Sequence, residues 1–275
     1  MNLLEPIVRP GAILGSAQHG HSRRSFKPHF LGDWMRVVFL HYEVDAEVLQ
    51  REVPFELDLW HGRAFVSLVA FTMQRLRLRF GGRLAAWAFK PIATTRYFNV
   101  RTYVRDRFDP GIYFIAEFLS NRLCVPLGPA AFGLPYRAGH LSYKHPLDGG
   151  LLEGEVTDGS TGGKLTYQAT PSSRQGFQES RPETLDAFLL ERYLAYTRRG
   201  EIRRHFQISH SPWLQVGVEC AVQDQGLLGT TGNWFKEACL LGGNFSPGVR
   251  EVLMERPHRI PPPERKRRLT AFFDV

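Results

Sequence analysis

His140–Thr170 reads HLSYKHPLDGGLLEGEVTDGSTGGKLTYQAT. Three short strand-like runs, His140–Lys144, Leu151–Thr157 and Lys164–Thr170, are separated by PLDGG and DGSTGG, loops built from the Gly and Asp that tight turns use. This regular spacing of short strands and turns predicts an antiparallel meander and argues against βαβ crossovers.

The same pattern continues upstream. GIYFIAEFLS (Gly111–Ser120) and Asn99–Arg105 read as strands joined by DRFDPG, which has hairpin-loop chemistry. Arg63–Phe80 predicts a long strand or a bent pair, in which AFVSLVAFTM gives way to alternating RLRLRF, and Gly81-Gly82 makes the turn. WMRVVFLHYEV (Trp34–Val44) predicts another strand, followed by Asp45 as the N-cap of a short helix DAEVLQREV that Pro54 closes.

Downstream, RLCVPLGPAAFG predicts a helix broken by Pro126 and Pro129 and leading to Leu134-Pro135-Tyr136. Pro182-Glu183-Thr184 opens the clearest helical segment, LDAFLLERYLAYTRR, with Gly200 as its C′ residue. Ile202–Ser209, Trp213–Val222 and Val249–Glu255 complete the strands. No internal repeat is found. The pattern predicts a mainly β (α+β) chain with one domain over 31–256, a flexible basic extension over 1–30 and a Pro/Arg-rich tail over 257–275.

Of 275 residues, 43% are hydrophobic and 23% charged, an ordinary globular composition. The net charge of +8 belongs mostly to the ends. Arg9, Arg23, Arg24 and Lys27 against Glu5 give +3 at one end; six Arg or Lys against three acids in 255–275 give +3 at the other. The remaining +2 does not predict a nucleic-acid face. Cys124, Cys220 and Cys239 are too scattered for a zinc site or a disulfide framework, which fits a reducing, cytoplasmic setting. Glu5, Arg9 and early Pro and Gly residues make Met1–Ala17 a poor signal core. No run reaches the ~20 apolar residues of a membrane span, so no membrane partner is expected.

Glycine-rich phosphate loops and a GxSxG elbow are both missing, so no cofactor is predicted. His19-Gly20-His21 has no carboxylate nearby, and His140 and His145 lack an HExxH context; no metal site is predicted. The informative segment is Asn99-Val100-Arg101-Thr102-Tyr103-Val104. Strand alternation puts Asn99, Arg101 and Tyr103 on one face. Turned inward, Arg101 becomes a guanidinium fork suited to a carboxylate; alternatively it pairs with a protein acid such as Glu117. Two proline-fixed corners, Leu134-Pro135-Tyr136-Arg137 and His210-Ser211-Pro212-Trp213, each set a polar group beside a large apolar one. Arg101 and His210 are candidate catalytic residues on these grounds, with Asn99, Tyr103, Arg137 and Trp213 as candidate ligand contacts.

In order along residues 33 to 255, the segments LHYEVD, PFELDLWHGRAFVSLV, NVRTYV, GIYF, LPY, LLERY and HSPW resemble those of the YqjF-like bacterial proteins, a family of unknown function. That family is similar to the acetoacetate decarboxylase superfamily. The resemblance implies a cone-shaped antiparallel β-barrel around an internal cavity, with a few flanking helices. In the decarboxylase, a corner ending in two lysines supplies a Schiff-base amine made acidic by its neighbour and by desolvation. Here the corresponding place holds Tyr136 and Arg137, which form no imine, so Schiff-base decarboxylation is not expected; the resemblance implies Tyr136 as a third candidate catalytic residue, donating or accepting a proton. YqjF-like proteins usually carry a glutamate two residues before Asn99. This chain has Tyr97 there, which implies that a second acid–base group is missing, and neither Lys90 nor Lys144 has surroundings that single it out as a substitute amine.

The expectation is a barrel whose pocket takes a small molecule bearing a carboxylate or carbonyl. Two rivals stay open: a non-enzymatic binding module whose basic tails touch an acidic partner or nucleic acid, and a lyase or isomerase using tyrosine acid–base chemistry on a keto acid or polyketide-like substrate. Whether the chain is an enzyme, and whether it self-associates as superfamily relatives do, is not fixed by its residues.

Overall fold

Pro28–Val44 forms one 17-residue strand, β1, in the computed structural model, which describes residues 26–80, 82–106, 109–172 and 176–261. The His19–His21 pair and most of both charged ends lie outside the described residues. Asp45 then caps α1 (Ala46–Glu52), its Oδ1 accepting the Val48 N–H at 2.7 Å, as the sequence predicts. Next come β2 (Glu56–Leu57) and the single strand β3 (Ala64–Leu78). Gly82, at φ +57°, begins α2 (Gly82–Phe89), a helix where the Gly81-Gly82 pair predicts only a turn. After a 3₁₀ turn at Lys90–Ile92 come β4 (Thr95–Arg105), β5 (Pro110–Leu119), the short α3 (Leu127–Ala131) and the meander β6 (Tyr136–Lys144), β7 (Leu152–Asp158) and β8 (Lys164–Pro171).

The last third comprises β9 (Gln178–Glu179), α4 (Leu185–Leu190), β10 (Leu194–Arg199), β11 (Ile202–Ser209), β12 (Leu214–Gln223), α5 (Gly226–Gly229), β13 (Cys239–Glu255) and β14 (His258–Arg259). The segment expected to be a single helix from 182 to Gly200 thus divides. Its helix stops at Leu190, and Leu194–Arg199 pairs antiparallel with β11 around a turn in which Gly200 takes φ +57°. Helical periodicity lost to burial on two sides: Ala195 and Tyr196 point in opposite directions and both are fully buried, a demand only a strand between two cores can meet.

Strands β13, β1, β3, β4 and β5 form a central sheet from which two closed rings are built. β5 continues through β6, β7, β8 and β12 back to β13, closing nine strands. It also continues through β10 and β11 back to β13, where Ile208 pairs with Met254, closing seven. The pairings β5–β6 and β5–β10 are parallel, so the barrel is mixed and not purely antiparallel. The chain leaves β5 through the α3 segment and comes back alongside it in the same direction, a return that a hairpin cannot make.

The central sheet is apolar on both faces, and each face belongs to a different ring. Val38, Leu40, Val66, Leu68, Phe98 and Val100 fill the nine-stranded ring together with β7 and β8. Val37, Phe39, Val69, Phe71, Tyr97 and Tyr103 face the seven-stranded ring together with Phe206 and Ile208. Buried side chains fill the first ring. The second holds a hollow.

Candidate functional site

The hollow has a volume of about 560 Å³ and is walled mainly by apolar side chains of β1, β3, β5, β11 and α3. Strand β4 supplies its polar stripe. Val100, Thr102 and Val104 go to the other face, so Tyr97, Asn99 and Arg101 line the cavity at two-residue intervals. Tyr103, one interval further on, is buried just beyond the cavity wall and does not line it.

Arg101 is 6% exposed and has no carboxylate within ion-pair distance among the described residues. Its Nη2 donates to the Leu189 carbonyl at 3.2 Å, its plane lies over Phe39 with 5.5 Å between the charge and the ring centroid, and its Nε–H has no partner. The alternative pairing with Glu117 does not form. Burial lowers the pKa of Arg101, with Tyr103 opposing the shift, yet a guanidinium stays charged at any physiological pH. Its charge in turn helps hold two imidazoles neutral. His41 and His210 are both lowered to about 4, chiefly by burial, with Arg101 adding to the effect.

A chain of hydrogen bonds fixes Arg101 from behind. His41 Nε2–H donates to Asn244 Oδ1 at 2.9 Å, and the Asn244 amide donates to Gln215 Oε1 at 2.7 Å. Nδ1 of the neutral His41 then accepts from the Ser67 hydroxyl at 2.7 Å. The Tyr103 hydroxyl lies 2.5 Å from the Ser67 oxygen and 3.0 Å from the same Leu189 carbonyl that holds Arg101, and shares its one proton between the two acceptors. The C-terminal end of α4, which presents that carbonyl, is anchored in turn. Arg192 Nη1 donates to Asp58 Oδ2 at 2.7 Å, both side chains being buried, and Glu191 accepts the Trp213 N–H at 2.9 Å and the Tyr193 hydroxyl. His41, Ser67, Asp58, Glu191, Arg192 and Tyr193 all belong to the short motifs quoted above. Most of those motifs build the support of the cavity, and few of their residues reach into it.

Glu117 was not among the residues expected to form the site. It is 3% exposed, lines the cavity opposite Asn99, and both its Oε2 and the Asn99 Oδ1 lack partners. With no cation among the described residues to hold it ionised, desolvation drives its pKa well above the usual carboxylate range. Tyr136 stands beside Glu117 in the parallel β5–β6 ladder. Its ring meets that of Tyr97 edge-on at 6.0 Å; burial first, then Tyr97 and Glu117, raise its pKa. The cavity thus has a carboxyl group from β5, although β4 carries Tyr97 and no glutamate at the earlier position.

Of the residues the sequence singled out, Asn99, Arg101, Tyr136 and Trp213 are brought together at the cavity. His210 sits behind Trp34 and Trp213, donating from Nδ1 to the Ser211 carbonyl at 2.7 Å, outside the cavity lining. Arg137 points to the opposite face, where it donates to the Thr230 carbonyl at 3.3 Å, lies 3.8 Å from Asp158 and covers Phe118. Alternation along β6 explains it, since Tyr136 and Arg137 are adjacent and must diverge. Lys90 and Lys144 are exposed, and among the described residues no lysine lines the cavity. Among the described residues no group of His, Cys, Asp and Glu is arranged to hold a metal, and no helix is long and apolar enough to cross a membrane.

This architecture has relatives. The structure of the enduracididine biosynthesis enzyme MppR complexed with pyruvate superposes with a TM-score of 0.58 at 15% identity, covering 87% of this chain and 93% of that one. Acetoacetate decarboxylase from Legionella pneumophila superposes with a TM-score of 0.55 at 12% identity, covering 90% and 93%. At such identities the likeness shows the fold, which is that of acetoacetate decarboxylase. In sequence, the uncharacterized protein YqjF of Bacillus subtilis (strain 168) is 30% identical over 192 residues, 69% of this chain and 76% of the relative. Residues 32–240 match the model of DUF2071, described as an uncharacterized conserved protein (COG2071), and the chain therefore belongs to the DUF2071 family.

Proposed function

We propose that the cavity binds a small amphipathic molecule carrying a carboxylate or an equivalent anionic oxygen, and that Arg101 is its anchor. One observation carries this reading: a buried guanidinium that faces a hollow, with a free Nε–H and no counter-ion among the described residues. A buried unpaired charge costs several kcal/mol, and an anionic ligand removes that cost. Phe71, Phe114, Ile208 and their neighbours accept the apolar part of the ligand.

At the Glu117–Tyr136 side the cavity offers proton donors in place of an amine. A carboxylic acid kept neutral by burial donates to a carbonyl oxygen, and the Tyr136 hydroxyl stands beside it. Chemistry at this site is therefore proton transfer at a carbonyl compound, with no imine. The MppR structures, solved with pyruvate and with a condensation product of pyruvate and an aldehyde, support a small carbonyl acid as the ligand class.

Thermal shift with a series of 2-oxo acids of increasing apolar length tests the reading. At least one is expected to raise Tm of the wild type and to leave Arg101→Met unmoved. If every acid in the series stabilises both proteins equally, or neither, Arg101 is not the anchor. Borohydride added with the best ligand is expected to trap no adduct.

A further inference from the structure

The outer end of the cavity opens through a rim of unusual chemistry. Among the lining residues, Leu127, Ala130 and Ala131 of α3 are exposed to solvent, so the hollow reaches the surface there. Asn121 Nδ2 donates to the Pro91 carbonyl at 2.7 Å and ties the α3 segment to the turn that follows α2. Helix α2 is apolar on two sides. Phe89 packs inward on Phe30 and lines the cavity, whereas Leu84 and Trp87, three residues apart on one helical face, are 83% and 76% exposed. Phe80 at 66% and Leu123 at 62% extend this apolar fringe on either side.

The two segments that carry the fringe hold charge of one sign. Arg77, Arg79, Arg83, Lys90 and Arg122 surround it, and neither 75–105 nor 121–137 contains an Asp or Glu. Among the described residues none of these five cations makes an ion pair. A net charge of about +2 spread over the body predicts no basic face, but the folded chain places five cations without an ion pair beside the cavity mouth.

We propose that this rim docks on an anionic lipid surface, with Leu84 and Trp87 inserted at the headgroup level and the cations on the phosphates, so that the cavity opens toward the bilayer. Exposed tryptophan and leucine flanked by arginine are the composition of an interfacial helix. A second copy of the chain is the less suitable occupant, because a self-facing rim would oppose cations to cations with no acid to separate them. The absence of a membrane span says nothing against surface docking, which needs none.

Vesicle co-sedimentation of the full chain provides the test, with phosphatidylcholine alone or mixed with phosphatidylglycerol. Wild type is expected to bind the mixed vesicles, and Leu84→Asp combined with Trp87→Asp to lose at least about tenfold in partition. Both proteins keep the basic ends, so any binding due to those ends cancels. Equal binding by the two proteins, no binding by the wild type, or a wild-type dimer that the double variant turns into a monomer would each overturn the proposal. Arg101→Met is expected to bind vesicles as the wild type does, which separates this proposal from the ligand anchor.

Discussion

Glu117 stands directly across the β4–β5 ladder from Asn99, and both side chains face the cavity, because β5 carries one extra residue between the Val100–Ala116 and Arg101–Phe114 pairs. Ile112 and Phe114 point into the hollow; Ile115 is the extra residue, and beyond it the odd-numbered positions point inward. Strict alternation from Phe114 would have placed Ala116 inside and Glu117 in the packed core of the other ring.

The first prediction concerns the stability cost of this carboxyl. Below about pH 4.5 the folded and unfolded chains both hold its proton. Above that, the unfolded chain releases a proton that the fold retains, so the contribution of Glu117 to stability declines as pH rises. Glu117→Gln is expected to be more stable than the wild type at neutral pH and equal to it in acid. Urea midpoints at the two pH values decide it, and a variant less stable at neutral pH would mean that the carboxylate is ionised and held.

Histidines act with the opposite sign. His41, His145 and His210 are lowered from 6.5 to about 4 by burial, so protonation favours the unfolded chain. Their contribution is complete above about pH 6.5 and is lost as pH falls toward 4, by at most about 3 kcal/mol each. His145 is the clearest case, donating from Nδ1 to the Arg36 carbonyl at 2.8 Å and accepting from the Tyr167 hydroxyl at 2.7 Å. Unfolding free energy measured across this window should fall with acid, and His145→Gln should make the fall shallower.

Removing the Arg101 charge should not weaken the ligand-free fold. A buried cation without a counter-ion is replaced by methionine at little or no cost, unlike most buried substitutions. Unchanged or raised Tm in Arg101→Met, together with lost ligand response, is the expected pair of results. A Tm well below the wild type would show that Arg101 is structural.

Asp58 joins two arginines of unequal weight. Arg192 and Asp58 are both buried, whereas Arg105 on the other carboxylate oxygen is 61% exposed. Asp58→Ala strands the Arg192 charge and is expected to cost about 3–5 kcal/mol. Arg105→Ala should cost no more than about 1 kcal/mol. Equal losses in chemical denaturation would refute the ranking.

Gly128 is where α3 meets the floor of the cavity. A Cβ there would lie 2.1 Å from the Tyr136 ring, so Gly128→Ala must displace that ring. A loss of about 1–3 kcal/mol is expected, with weaker ligand binding. Gly229→Ala meets nothing within 4 Å and serves as the control in the same Tm and binding measurements.

Local sequence determined a good deal of this protein. The Gly- and Asp-rich turns of 140–170 fixed the meander β6–β7–β8, Asp45 fixed the start of α1, and alternation in 99–104 fixed which side of β4 carries Asn99 and Arg101, because each depends on the backbone preferences of neighbouring residues alone. Only the tertiary structure decided the rest. The bulge that turns Glu117 inward, the burial that makes a strand of Leu194–Arg199, the divergence of Arg137 from Tyr136 and the placing of cations without an ion pair beside the cavity mouth all depend on which strands become neighbours. Pairing between segments far apart in the chain sets register and burial, and neither is encoded within reach of a single segment's own residues.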